Sequence, residues 1–483
     1  MEHNILLADS SKKVSWTKML GWALSSIVPV ISCFCAQKAG LSRESSIFAA
    51  IVSVTLVMWI TEILPDFVPG LFSTLMFTLF NLAPNEVVLS GFASEGFFLA
   101  VSVLGLGAVI VTSGLSHRYS LIMLKAMPPN TFWYTISLFF TGLIFTPLVP
   151  VISGRAAIVA PVLNVIVQHS YDGLDMDEKT ITRSKTALFA SSLIGITLLS
   201  ASFLSSTPLN LIVYGMLPLQ EQQSFQFIKW SYASLVVSGV VLAAFFVIIN
   251  LYFRSFHRLN VKKDFIVGEL KKLGRLKAAE WIAVLGIAVL AVGMFAASTT
   301  KISVTWVAFA IMFCLLFIGA LNPIDFRTKI DWAFLFLLGS MIGLVNTMNY
   351  LKIDLIVVKN LGWLASYMQS DFRLFIVLLA LAIFASRILI PMNAAVLIFA
   401  ATLLPLAKAS GVSTWLTGFL ILFFAETAVF PFQAPYLSNF RNATREVVNQ
   451  QEKSVSAVNL LLFFAKIAAI YLSIPFWTKI GVL

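Results

Sequence analysis

Arg155 is the residue of this sequence with the plainest chemical capacity. It follows Val151-Ile152-Ser153-Gly154 and precedes an apolar run over 156–168. A guanidinium in such a setting is costly, and its parallel donors suit a carboxylate, sulfate or phosphate. The plainer reading is an arginine that pairs with a buried acid or reaches back to the aqueous side. A second constellation surrounds Pro208, where Ser205, Ser206, Thr207 and Asn210 interrupt a helical run. Proline removes one backbone donor and frees a carbonyl a turn earlier. Such a break can hold an anion at a helix N-terminus and a cation on freed carbonyls. Its plainer reading is a kink satisfied by its own hydroxyls. Pro435, in Gln433-Ala434-Pro435-Tyr436-Leu437, repeats the break late in the chain. Pro391-Met392-Asn393 divides two apolar runs as Pro147 to Arg155 does, and Arg387 lies just before it. Glu426, an acid within an apolar run, reads as a proton carrier or as half of a structural pair with Lys466.

Apolar helices must hold these groups. The chain has 483 residues, 59% hydrophobic and 11% charged, where an ordinary soluble domain carries about 25% charged residues. This excludes a soluble enzyme, a disordered chain and a disulfide scaffold, and leaves an all-α polytopic membrane protein. The 3 cysteines lie in apolar runs without disulfide or metal-ligand spacing. With 4 histidines there is no paired His and carboxylate pattern for a membrane-embedded enzyme, and no cofactor is expected other than sodium as a possible ion. A net charge of +11 would suggest nucleic acid in a soluble protein. Here the basic stretch (Arg254, Arg258, Lys262, Lys263, Lys271, Lys272, Arg275 and Lys277) reads as a headgroup-facing cytoplasmic linker, and nucleic acid is not an expected partner.

Apolar runs bounded by charge, proline and tryptophan predict about eleven transmembrane helices. Two pairs of arms, 131–149 with 156–168 and 372–390 with 394–407, are short or interrupted for spans and read as re-entrant hairpins. Residues 1–16 read as a retained cytoplasmic tail, without the features of a cleaved signal. Residues 17–253 form a first membrane repeat with its inward-opening hairpin near 131–168. Residues 254–279 form the basic linker, and 280–483 a second repeat with an outward hairpin near 372–407. With the N-terminus cytoplasmic and the C-terminus external, most basic loop residues fall inside. Leu104-Gly105 matches Leu338-Gly339, Arg155-Ala156-Ala157-Ile158 matches Asn393-Ala394-Ala395-Val396, and Pro208 matches Pro435, at a near-constant offset. The two hairpins open to opposite sides, so the repeats are inverted. Inverted repeats with discontinuous helices point to a secondary transporter whose site lies near the bilayer midplane. The expected site comprises Ser153, Gly154, Arg155, Ser206, Thr207, Pro208 and Asn210 from the first repeat. The second supplies Pro391, Met392, Asn393, Gln433, Ala434 and Pro435, and Glu426 is the candidate proton site.

Three motifs then carry a resemblance. Trp59-Ile60-Thr61-Glu62-Ile63-Leu64-Pro65, Gly114-Leu115-Ser116-His117-Arg118 and Ser206-Thr207-Pro208-Leu209-Asn210 resemble segments of the divalent anion/sodium symporter family, the INDY-type di- and tricarboxylate and sulfate carriers. The likeness runs from about residue 45 nearly to the end. It implies a homodimer in the plasma membrane (the inner membrane if the source is bacterial), a small anionic substrate and elevator-type alternating access. The family's hairpin tips carry Ser-Asn-Thr, which hold sodium and substrate carboxylates. Here the first tip keeps only Ser153, and Leu389-Ile390-Pro391-Met392-Asn393 has no such triplet. The expectation is therefore an anion carrier in which Arg155 supplies positive charge that sodium supplies in relatives, with exchange or proton coupling. The rival reading is a receptor-like or regulatory membrane protein on a degenerate carrier scaffold.

Overall fold

In this computed structural model the described residues are 16–38, 40–171, 177–253, 263–297, 303–353, 355–356, 362–430, 433, 435–444 and 452–483. The regular elements among them are all helices. Nine are long and apolar enough to cross a membrane, or ten if one bent pair is a single span. The nine include Phe372–Leu389 and Met392–Ala409, the arms expected as a re-entrant hairpin, each of which is as long as a span, while two of the expected spans are shorter. Phe67–Leu79 has 13 residues and Val304–Phe317 has 14, and at about 1.5 Å per residue each falls short of a hydrocarbon core about 30 Å thick.

The breaks expected from the prolines are present. Helices Thr131–Phe145 and Ile152–Ser170 are joined by residues 146–151, which contain Pro147 and Pro150. Helices Phe372–Leu389 and Met392–Ala409 are joined by Ile390 and Pro391. Ile390 is extended (φ −126°, ψ 149°), the conformation that a following proline imposes. Two interruptions follow these pairs. Helix Glu178–Gly195 ends before a 3₁₀ turn at Ser200–Ser202, and the chain becomes helical again at Pro208. Helix Thr414–Ala425 is capped by Glu426, and the next helix starts at Pro435. Proline suits a first helical position, where its missing N–H has no partner to lose.

Close packing fixes the first break. A Cβ on Gly142 would lie 2.6 Å from the Gly195 carbonyl carbon, and one on Gly195 would lie 2.6 Å from Phe139 O. Helices Thr131–Phe145 and Glu178–Gly195 thus cross backbone to backbone, as small residues permit in membranes. Phe139 stacks on Phe245 of helix Leu235–Phe253 at 4.4 Å. The outer face of that helix leaves Val247 and Leu251 exposed, as a lipid-facing surface requires.

Of the central basic stretch, Arg254, Arg258 and Lys262 lie outside the described residues. The remainder includes helix Lys263–Leu273, whose described turns meet the next helix at 94°. Arg118 holds that corner. It pairs in bidentate fashion with Glu280 (2.7 and 3.0 Å) and donates to the carbonyls of Leu273, Gly274 and Arg275.

Candidate functional site

The first break is folded by one amide. Asn210 Nδ2 donates to Ser200 O and Phe203 O (both 2.9 Å) and to Ser206 Oγ (3.1 Å), while its Oδ1 accepts from Thr207 Oγ1. Ser205 Oγ donates to Pro147 O at 2.7 Å and ties the break to the first helix pair. Arg155 is fully buried behind it. Its Nη1 donates to Ser200 Oγ (3.2 Å) and its Nη2 to Ser206 O (3.0 Å). The guanidinium therefore satisfies unwound backbone, which would otherwise cost about 1–3 kcal/mol for each buried group left unpaired.

The second break uses the same two kinds of group. Gln433 Oε1 accepts from Val429 N and Phe430 N (both 2.9 Å), and its Nε2 donates to Arg387 O (2.9 Å). Arg387 Nη2 donates to Gln433 O (2.6 Å), Nε to Ala425 O (3.2 Å) and Nη1 to Ile390 O (3.2 Å). Arg387 thus spans the break from Ala425 to Gln433 and holds the tip of its own helix pair. Asn393 Nδ2 donates to Asp66 Oδ2, joining that tip to the loop after helix Arg43–Thr61.

Both helix-pair tips and both breaks meet at a cavity of about 730 Å³. Of the expected site residues, Ser153, Thr207, Pro208, Pro391, Met392, Asn393 and Gln433 line it. Arg155, Ser206 and Asn210 form the buried layer behind. Gly154 lies in the first turn of its helix, Glu426 closes helix Thr414–Ala425, and Pro435 begins the next helix. Ala434 lies outside the described residues.

The opposite wall carries Glu62, Asp66 and Asp331, so three carboxylates and Arg387 share the cavity. Glu62 and Asp66 follow an apolar run, a place that suits solvated end residues equally well, although the motif around Trp59 contains the signal. Trp59 Nε1 donates to Asp66 O at 2.8 Å, and Glu62 turns the chain with φ 47°. The motif builds this wall. Partial burial and the Asp66 carboxylate make Glu62 hold its proton more tightly than an ordinary glutamate, and Arg387 opposes them.

A second cavity of about 830 Å³ contains Glu95, Tyr214, Gln222, Asn346, Asn349 and Lys408. The 730 Å³ cavity touches the start of helices Pro208–Met216, Trp332–Tyr350 and Met392–Ala409, and the second touches their later turns. The two share no lining residue. No group of three or more His, Cys, Asp or Glu among the described residues could hold a metal ion.

Residues 16–443 match the family described as the sodium:sulfate symporter transmembrane region. YflS of Bacillus subtilis (strain 168), a protein named for malate transport, is 22% identical over 362 residues, covering 74% of each chain. Solute carrier family 13 member 1 of Homo sapiens is 29% identical over 115 residues, 24% of this chain and 19% of that protein. The crystal structure of the Alcanivorax borkumensis YdaH transporter aligns over 86% of this chain and 89% of its own, with a TM-score of 0.49 and 15% identity.

Proposed function

The chain belongs to the sodium:sulfate symporter family, and from that premise we propose that it is a secondary carrier of small di- or tricarboxylate or sulfate-like anions whose fixed positive charge comes from its own arginines. One observation carries this reading: a guanidinium occupies the carbonyls of each break. Ser206 O accepts from Arg155, and Gln433 O and Ala425 O accept from Arg387. Freed carbonyls at such breaks are where a transporter of this kind can coordinate sodium. Here they already have cationic donors, so the residues present do not fit a sodium ion there. Arg387, although buried, also lines the 730 Å³ cavity, where its charge would attract an entering anion.

Two cavities support an alternating-access reading. Each opens along a different part of the same three helices, and no lining residue belongs to both. Elevator movement of the paired helices and breaks, as two inverted repeats against a dimeric scaffold, would expose the tips to each cavity in turn. The N-terminus would be cytoplasmic and the C-terminus external, in the plasma membrane.

The test is uptake of labelled malate, succinate and sulfate into proteoliposomes under a sodium gradient, a proton gradient or neither. Uptake of at least one anion without sodium is expected. Strict dependence on sodium would overturn the assignment of its role to the arginines.

A further inference from the structure

Behind the anion cavity lies a cluster of ionisable groups that the carrier reading leaves unused. Glu426 is held there by Ala201 N, which donates to its Oε2 at 3.2 Å. Its other carboxyl oxygen is buried and has no hydrogen-bond partner. Lys466, from helix Glu452–Lys479, is also buried. Its Nζ donates to Phe423 O (2.7 Å) and Thr427 Oγ1 (3.1 Å), and sits 4.6 Å from the Phe423 ring centroid. No direct ion pair among the described residues joins Lys466 to Glu426. Instead both line a cavity of about 30 Å³ with Thr197, Thr427, Tyr436 and Asn459. That is room for a water molecule, and its lining offers the polar partners a water needs.

Tyr436 also lines the anion cavity. One residue therefore borders both the small cavity and the place where an anion would bind. The charged and titratable groups facing Glu426 come from three elements: Arg155 from the first helix pair, Lys466 from the last helix and Tyr436 from the helix after the second break. Fully ionised, Arg155, Lys466 and Glu426 leave one excess positive charge. A proton added to Glu426 would leave two such charges in a poorly solvated interior, which is costly unless an anion arrives nearby. Anion and proton thus stabilise each other's binding, and the coupling is reciprocal.

We propose that Glu426 is a proton-binding site, in which its free carboxyl oxygen takes up a proton through the water-sized cavity shared with Lys466 when an anion enters beyond Tyr436. The inference rests on the anion-carrier reading. The step forms one O–H bond on Glu426 with a proton drawn from solvent, and reverses when the anion leaves. It makes the protein a proton–anion symporter, with release of both partners on the opposite side.

Purified full-length protein in weak buffer with a pH indicator tests this directly. Sulfate is the first probe, because it does not titrate near neutral pH, and malate and succinate follow. Anion binding is measured by calorimetry on the same samples. Wild type should take up about one proton per anion bound, and its anion affinity should rise by up to about tenfold for each pH unit of acidification. Glu426→Gln should take up almost none and show a nearly flat affinity profile. Glu62→Gln tests the rival proton acceptor in the anion cavity and should keep most of the uptake. Should Glu426→Gln fail to fold, wild-type proteoliposomes containing a pH-sensitive dye still decide the matter, because anion influx must acidify the lumen. Anion binding without proton uptake overturns the proton site alone. Full proton uptake by Glu426→Gln, or its loss in Glu62→Gln, does the same. A wild-type protein that binds none of the probes overturns the carrier reading and the coupled site with it.

Discussion

In the first break Arg155 is sealed in the protein, with bonds to Ser200 and Ser206 and the Glu426 charge nearby. In the second break Arg387 donates to three backbone carbonyls, yet it also forms part of the wall of the 730 Å³ cavity and has Glu62 as its charged neighbour. The chemical device is shared, but the counter-charge differs. Glu426 is enclosed with Arg155, so that positive charge is spoken for inside the protein. Glu62 is exposed and lines the cavity together with Arg387, whose side chain is buried, with 3% of its surface exposed, yet borders that cavity. On the carrier reading, Arg155 would hold architecture, and Arg387, which lines the cavity, would be the arginine to meet a substrate.

The sharpest way to break this comparison is to remove each guanidinium. Arg387→Ala should lower anion uptake by about 100-fold, the scale of deleting one charged donor from a preorganised anion site. Arg387→Lys should restore little, because one ammonium cannot serve Ala425 O, Ile390 O and Gln433 O in a fixed planar fork. Arg155→Ala should act mainly on folded yield and melting temperature, since its loss strands buried groups that do not line the cavity. Uptake per folded molecule, measured on protein quantified by size-exclusion chromatography, separates the cases. A larger uptake loss for Arg155→Ala than for Arg387→Ala would reverse the assignment.

The two amides sharpen the same contrast at smaller amplitude. Asn210→Ala removes the amide donor to Ser200 O and Phe203 O, which keep Phe203 N and Ser206 N as donors, whereas Gln433→Ala removes the side-chain acceptor of Val429 N and Phe430 N. Gln433→Ala should cost about 3 kcal/mol of stability because buried N–H groups lose their acceptor, and Asn210→Ala about 1 kcal/mol because its carbonyls keep other donors. Gln433 lines the anion cavity and Asn210 does not. Gln433→Ala should therefore also weaken anion binding about tenfold, while Asn210→Ala leaves the affinity of the surviving folded protein within about threefold. Thermal melts with and without saturating anion read both quantities, because ligand stabilisation reports affinity.

The sequence made the breaks legible because proline is a local signal. Pro208, Pro391 and Pro435 each lack a donor, and each begins or directly precedes a helix after an interruption. It did not reveal which arginine faces the cavity. Arg155 stands beside a tip and Arg387 before one, both are buried, and only the three-dimensional crossing of the helices places the second along the cavity and the first behind it. The acidic wall was hidden for a related reason. Glu62 and Asp66 end a hydrophobic run, which suits a solvated interface residue equally well, and the Trp59 bond that folds their loop spans seven residues. The small cavity between Glu426 and Lys466 was beyond periodicity altogether, because it is bounded by side chains from distant helices.

Glu62 gives the smallest and most diagnostic effect. Its carboxylate lies in the cavity with Arg387 and competes with an entering anion for that positive charge. Glu62→Gln should raise anion affinity near neutral pH by about threefold, a modest gain because the side chain is exposed and screened by water and salt. Burial and Asp66 raise the wild-type pKa of Glu62 above the ordinary glutamate value, so acidification neutralises it early. Above that pKa the wild type should bind the anion more weakly than the variant. As pH falls through it, this part of the difference should disappear, because the carboxyl has lost its charge and resembles the amide. Titrating sulfate into both proteins across this range isolates the exposed carboxylate, since any proton linkage at Glu426 is common to the two and cancels in their ratio. A ratio that stays constant with pH would mean that Glu62 does not compete for Arg387. The distinction between an arginine neutralised inside the protein and one neutralised at the cavity surface would then lose its electrostatic basis.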